Sequence, residues 1–221
     1  MENYRANTSS GNTPTQMVSD AVRERLEVGS LIAEVARLVE FELRARGWRL
    51  QIEVADGLPA ISGDAVQIQQ VLLNLIRNGL EAMADQAGGD SVEVCAMPAD
   101  DGGVEITVRD GGPGVPAAVE DRLFEPFYTT KTQGMGLGLS ICQSIMAAHG
   151  GGLHYRRGEP GQGATFVMRL PVALAIALAM AAGIASSPIS PNPLAPNGPE
   201  GSYESANATC IFGRFAAPGS G

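Results

Sequence analysis

The chain has a single lysine. Of its 15 Lys and Arg residues the other 14 are arginine, and the exception, Lys131, lies in "TTKTQGMGLGLS" (residues 129–140). Basic residues as a class are also short, 15 against 24 Asp and Glu, for a net charge of -9. That balance argues against a nucleic-acid partner, because a phosphate backbone needs a basic face. Cysteine is scarce: Cys95, Cys142 and Cys210 are odd in number and scattered, with no C-x-x-C pair to suggest zinc. The expectation is reduced thiols in a cytoplasmic compartment. No apolar stretch follows basic residues at the N-terminus, so no secretory signal is expected. No Walker loop (G-x-x-x-x-G-K-[ST]) occurs, and internal repeats are lacking.

What is present suits a packed core: 44% hydrophobic and 18% charged residues in 221, enough for one domain with tails. Residues 1–25 are polar and read as a flexible leader. Apolar residues then recur at helical spacing across residues 26–46, as Leu31, Ile32, Val35, Leu38, Val39 and Leu43. "WRLQIEVADGLP" alternates like a strand and ends on Gly57 and Pro59. A second helix is expected over about 64–85, followed by strands at "SVEVCAM" and "VEITVRD". A short helix is expected at "AAVEDRLFEPF", and another at "LGLSICQSIMAAH" stopping at Gly150. "GLHYRR" and "GATFVMRLP" close the pattern as strands. Helices and strands interleave without a regular strand-helix repeat, which favours a two-layer α/β sandwich over a Rossmann sheet. After residue 171 the chain turns alanine-rich, then Pro-, Ser- and Asn-rich, and 172–221 reads as a disordered non-catalytic tail. Residues 170–189 are long enough and uncharged enough for a membrane span. Alanine dominates there, however, and no basic or aromatic flank anchors the segment, so membrane contact is not expected.

Four clusters carry chemistry. In "DAVQIQQVLLNLIRNGLEAM", Asn74, Asn78 and Glu81 fall on one stripe beside an apolar arc of Ile68, Val71, Leu72, Leu75 and Met83. Asparagine is a poor helix former, so two in a helix interior need a reason. A hard cation such as Mg2+, which takes oxygen ligands, supplies one. In "VEITVRDGGPGVP" an apolar strand delivers Asp110 at its end, and Gly112 and Gly114 let the backbone approach a flat ligand. Its carboxylate could accept a hydrogen bond from adenine's exocyclic amine. "RLFEPFYTTK" supplies Phe124, Phe127 and Tyr128, residue types more often found in a core than on a ligand. "GMGLGLS" puts Gly134, Gly136 and Gly138 at a helix N-terminus, where exposed N–H groups and the helix dipole favour phosphate.

In this order and spacing the clusters resemble the ATP-binding catalytic domain of bacterial sensor histidine kinases. That domain's superfamily includes gyrase, a heat-shock chaperone and mismatch-repair ATPases. "QIQQVLLNLIRNGLEAM" is similar to the N box, "DGGPG" to the first glycine box, "LFEPFYTTK" to the F box and "GMGLGLSI" to the second glycine box. The short lid resembles the oxygen- and dicarboxylate-sensing type. The resemblance covers roughly residues 26–171 and implies a mixed sheet with helices on one face, ATP lying between the N-box helix and a mobile lid. It further implies that Asn78 ligates Mg2+ with Asn74 assisting, and that Asp110 reads adenine. Gly112, Gly114, Phe127, Thr129, Thr130, Gly134, Gly136, Leu137, Gly138, Leu139 and Thr165 would complete the nucleotide site. Lys131 would reach the β- or γ-phosphate from the lid's entrance, as a compact charge on a flexible stem can.

Hydrolytic members of that superfamily carry a glutamate where this chain has Asn74, which cannot act as a general base. The expectation is slow hydrolysis and phosphoryl transfer to an acceptor instead. Neither His149, followed by Gly150, nor His154, followed by Tyr155, resembles the phosphoacceptor H box. The acceptor histidine is therefore expected on a dimerisation domain outside this sequence, with a response regulator receiver domain downstream. The alternatives are a stand-alone ATP-binding regulatory module and a serine-directed anti-sigma-type kinase.

Overall fold

A computed structural model describes residues 23–84, 89–131, 134–158 and 163–173. In chain order the elements are β1 (Glu24–Leu26), α1 (Val28–Arg46), β2 (Arg49–Val54), β3 (Ile61–Gly63) and α2 (Ala65–Ala84). They continue with β4 (Ser91–Pro98), β5 (Val104–Asp110), a 3-10 helix (Ala117–Arg122), α3 (Gly138–Ala148), β6 (Gly152–Arg156) and β7 (Thr165–Leu170).

Five strands form one mixed sheet in the order β2-β4-β5-β7-β6, with β2 parallel to β4 and the remaining pairs antiparallel. Alternate residues of its strands, Val92, Val94 and Ala96, Val104, Ile106 and Val108, and Phe166, Met168 and Leu170, are buried. They meet the apolar stripes of the helices: Leu31, Ile32, Val35, Val39 and Leu43 from α1, Ile68, Val71, Leu72, Leu75 and Met83 from α2. α2 lies centrally and packs on α1, α3 and β5. The result is the expected two-layer α/β sandwich with its helices on one face. Asp64 caps α2 by accepting the Gln67 N–H at 3.1 Å. α1 ends at Gly47 in the left-handed region (φ 68°), its N–H returning to the Arg44 carbonyl at 3.2 Å.

Several details depart from the expectation. Leu38, read as part of the α1 stripe, is 62% exposed, because it sits just off the buried arc. Two three-residue strands, β1 and β3, pair antiparallel and were not foreseen, since three residues are too few to show a period. Two residues of β1 fall in the segment assigned to the leader. Val172 forms a bridge to Ile61, and the Ala173 N–H donates to the Ala60 carbonyl at 3.0 Å. The segment assigned to the tail thus begins alongside β3. Residues 1–22 and 174–221, with the proposed disorder and all of the uncharged run beyond residue 173, lie outside the described residues. Among the described residues no helix is long and apolar enough to cross a membrane. Cys142 is a free, buried thiol. Cys95 is half-buried and alternates with Val94 and Ala96 onto the other sheet face; Cys210 lies outside the described residues.

That second face is polar. Glu105, only 7% exposed, accepts from Arg156 at 2.8 Å and Arg169 at 2.9 Å. Burial alone would raise its pKa. The two guanidinium hydrogen bonds and charges outweigh burial and hold the carboxyl below its usual range.

Candidate functional site

The site assembles where α2, the end of β5 and the N-terminus of α3 converge. Asn74, Asn78 and Glu81 share one face of α2, as their spacing requires; both asparagines are half-buried and Glu81 is exposed. Asn74 faces α3. Its Nδ2 donates to Cys142 Sγ at 3.2 Å, and a Cβ at Gly138 would come within 3.1 Å of the amide. Burial pushes the Cys142 thiol up, against the opposing Asn74 hydrogen bond.

Asp110 ends β5 at 6% exposure. Its Oδ1 accepts the backbone N–H groups of Gly112 at 2.8 Å and Ala164 at 3.1 Å, which fixes the carboxylate plane. Burial raises its pKa, offset in part by those two N–H groups and by the Arg109 charge. Gly163 (φ 77°) passes so close that a Cβ there would lie 1.8 Å from the Asp110 carbonyl oxygen, so only glycine fits. Gly114, in the loop that leaves β5, has φ 79° and lies against Gly163.

The segment between β5 and α3 forms the lid. Glu120 accepts a two-pronged hydrogen bond from Arg157 (2.8 and 2.6 Å), tying the 3-10 helix to the end of β6. Arg122 stacks over the Tyr128 ring at 4.1 Å. Phe127 N–H donates to the Gly136 carbonyl at 2.9 Å, which closes the lid's two ends into one neck. Thr129 and Thr130 are exposed on the lid; Thr129 Oγ1 accepts the Lys131 N–H at 3.1 Å and lies near Gly134. The Lys131 ammonium reaches back to α2, donating to Asn78 Oδ1 at 3.0 Å and forming an ion pair with Glu81. At the start of α3 no side chain caps the N-terminus, and Leu137 takes the N-cap place. The first N–H groups are therefore open to an anion.

Lys131 and Asn78 are thus brought into contact, with Asn74, Asp110 and the glycine run around them. Three residues read as site members sit differently. Thr165 pairs with Arg109, so strand alternation carries its side chain to the face opposite Asp110; Ala164, one place earlier, meets the carboxylate instead. Leu139 packs on the core. Phe127 points outward, 76% exposed with φ 66°. The sequence reading gave no role to Ala164, Gly163 or Cys142, and placed Glu81 on the asparagine stripe without a role. Of these only Glu81 left a signal.

Neither histidine is presented as an acceptor within this arrangement. His149 is 3% exposed; its Nε2 accepts the Asp64 N–H at 3.0 Å and its Nδ1 meets the Ile145 carbonyl at 2.8 Å. That pairing fixes the Nδ1–H tautomer. His154 on β6 is exposed, but strand alternation with the buried Leu153 puts it on the sheet face away from the helices and this site. Partial desolvation first, then the Arg169 charge, lowers its pKa.

The model of the histidine kinase-, DNA gyrase B- and HSP90-like ATPases matches residues 63–174, the stretch that holds every element of this site. The chain belongs to that family. The sensor protein FixL of Bradyrhizobium diazoefficiens is 42% identical over 146 residues, 66% of this chain and 28% of that protein. The C4-dicarboxylate transport sensor protein DctS of Rhodobacter capsulatus is 38% identical over 162 residues, 70% of this chain and 24% of that protein. The chain thus spans about a quarter of these relatives' length. Among solved structures, the catalytic domain of histidine kinase ThkA superposes with a TM-score of 0.59 at 32% identity, covering 67% of this chain and 95% of that domain. Full-length ShkA in complex with AMPPNP gives 0.60 at 32% identity, covering 69% of this chain and 31% of ShkA. Within the family the chain carries the ATP-binding catalytic domain of the sensor histidine kinase type.

Proposed function

We propose that this domain binds Mg-ATP and passes the γ-phosphoryl group to a histidine on a dimerisation domain outside this sequence, working in the cytoplasm and feeding a response regulator receiver domain. The observation that carries the reading is the contact of Lys131 with Asn78 Oδ1: the amide oxygen assigned to magnesium already takes a cation, across 3.0 Å. The donor set fits a magnesium ion held largely by nucleotide oxygens and water. Among the described residues no cluster of three His, Cys, Asp or Glu offers an all-protein alternative. The bound ion would neutralise charge on the phosphates. Asn78 would hold it, Asp110 would accept from adenine's amine, and the uncapped turn at Leu137 and Gly138 would receive phosphate oxygens. With Asn74 hydrogen-bonded to Cys142 in place of a carboxylate base, no side chain there activates water. Transfer then depends on positioning and charge neutralisation.

Support for the downstream partner comes from a solved complex of histidine kinase ThkA with the response regulator TrrA, whose kinase chain is 29% identical to this one with a TM-score of 0.56. The test is to incubate the chain with Mg-ATP and a separate histidine-bearing helical domain of a similar kinase. Acid-labile phosphate on that domain is expected. Acid-stable phosphoserine on another protein, or tight ATP binding without any transfer, would overturn the reading.

A further inference from the structure

We propose that Glu81 is a positioning residue for Lys131, and that the lysine ammonium and a divalent cation are alternative occupants of Asn78 Oδ1. The inference rests on the Mg-ATP reading of the site and adds to it a residue and an exchange. Asn78 and Glu81 stand at i and i+3 on α2, one turn apart on the same face. Lys131 arrives from the lid, 53 and 50 residues away in sequence, and its ammonium contacts both side chains. The Thr129 hydroxyl, bonded to the Lys131 N–H at 3.1 Å, fixes the backbone turn from which the stem departs.

An amide oxygen has room for two donors, but a lysine ammonium and a divalent cation on one oxygen repel each other strongly at such short range. When a cation takes Asn78, Lys131 must leave that oxygen, and the flexible stem lets it turn to the terminal phosphates. Glu81 is the group that holds it nearby meanwhile. Both side chains are partly exposed, 40% for Lys131 and 57% for Glu81, so the pair is weak and exchanges readily. A guanidinium fork would need both partners in one plane. A point charge on a four-carbon stem does not, which accounts for lysine at this one position.

Because Lys131 is the only lysine, a lysine-specific endoprotease cuts the chain at one bond, and its rate reports whether the lid is held to α2. Glu81→Gln, at an exposed position where folding is not at stake, is expected to be cut about two- to fivefold faster than the unaltered chain without nucleotide, the range open to an exposed ion pair. Glu81→Asp should recover part of the protection. In a second measurement, the MgCl2 concentration needed for half-maximal ATP binding should fall in Glu81→Gln, since the competing lysine is less firmly held. Equal cleavage of the unaltered chain and Glu81→Gln would overturn the positioning role. A rise in the magnesium requirement would overturn the exchange, because Glu81 would then be attracting the metal instead of holding the lysine. If Glu81 protects the cleavage site and yet the unaltered chain binds no nucleotide, the Mg-ATP reading fails while the Glu81–Lys131 contact stands.

Discussion

Phe127 donates its backbone N–H to the carbonyl of Gly136 across 2.9 Å, and both residues have positive φ, 66° and 67°. This pair is the neck of the lid. Tyr128, Thr129, Thr130 and Lys131 follow it directly on one side, and Met135 precedes it on the other. A Cβ on Gly136 would come within 2.6 Å of the Phe127 carbonyl carbon and the Tyr128 oxygen. Gly136→Ala should therefore open the neck and weaken ATP at least about tenfold, while the melting temperature moves little because the strain is confined to a surface loop. Titration with a fluorescent ATP analogue and a thermal melt measure the two. Unchanged affinity would mean the neck does not position the lid.

The other half of the neck predicts the opposite sign. Phe127 holds a left-handed conformation that a bulky residue adopts at a cost, with its side chain largely in solvent. Phe127→Gly loses little buried surface and relieves that strain, so stability should hold or rise by up to about 1 kcal/mol. A clear drop in chemical-denaturation midpoint would show that the ring packs in solution.

Glu105 makes a prediction about acid. Its folded pKa is depressed, so the stability it contributes is present above the unfolded value and is lost as pH falls through the folded one. Glu105→Gln should cost about 1–3 kcal/mol at pH 7 through its two charged hydrogen bonds. The difference from the unaltered chain should shrink toward zero in strong acid. A gap that stays constant with pH would assign the loss to packing.

Lys131→Ala should weaken ATP far more than ADP or adenosine, because the ammonium is assigned to the terminal phosphates. Lys131→Arg should restore only part of the loss. Calorimetry with the three ligands decides it, and equal losses for all three would leave Lys131 a purely structural lid residue.

The long helices were legible because 19 and 20 residues carry several turns of apolar period. β1 and β3 were not, being shorter than any period. At the site, what could be read was what a residue's type betrays: two asparagines inside a helix, a carboxylate closing an apolar strand, one lysine among arginines. What could not be read was parity and partnership. Thr165 stands beside a glycine run and was taken for a ligand residue, but a side chain in a strand faces one side or the other, and a shift of one residue gives the place to Ala164. Glu81 looked like any acid on a solvent stripe until the fold brought the lid lysine onto it.

The last prediction separates stability from binding at Asp110. Burial raises this carboxyl's pKa, so ionising it costs folding energy. The cost is absent below the unfolded pKa of about 3.9, grows as pH rises through the folded value, and stays constant above it. Asp110→Asn keeps an oxygen for the Gly112 and Ala164 N–H groups but carries no charge. It should therefore be at least as stable as the unaltered chain at pH 7, with the advantage disappearing near pH 4. Because the comparison is between two chains differing at one group, acid titration elsewhere cancels. The same substitution turns an amide N–H2 toward the ligand, where adenine's exocyclic amine would need an acceptor. Donor then faces donor, and ATP affinity should fall at least about tenfold. Thermal melts across pH 4–8 with ATP titrations at pH 7 test both halves. A variant that loses ATP and is destabilised equally at every pH would make Asp110 a structural residue, and one that binds ATP normally would remove it from the site.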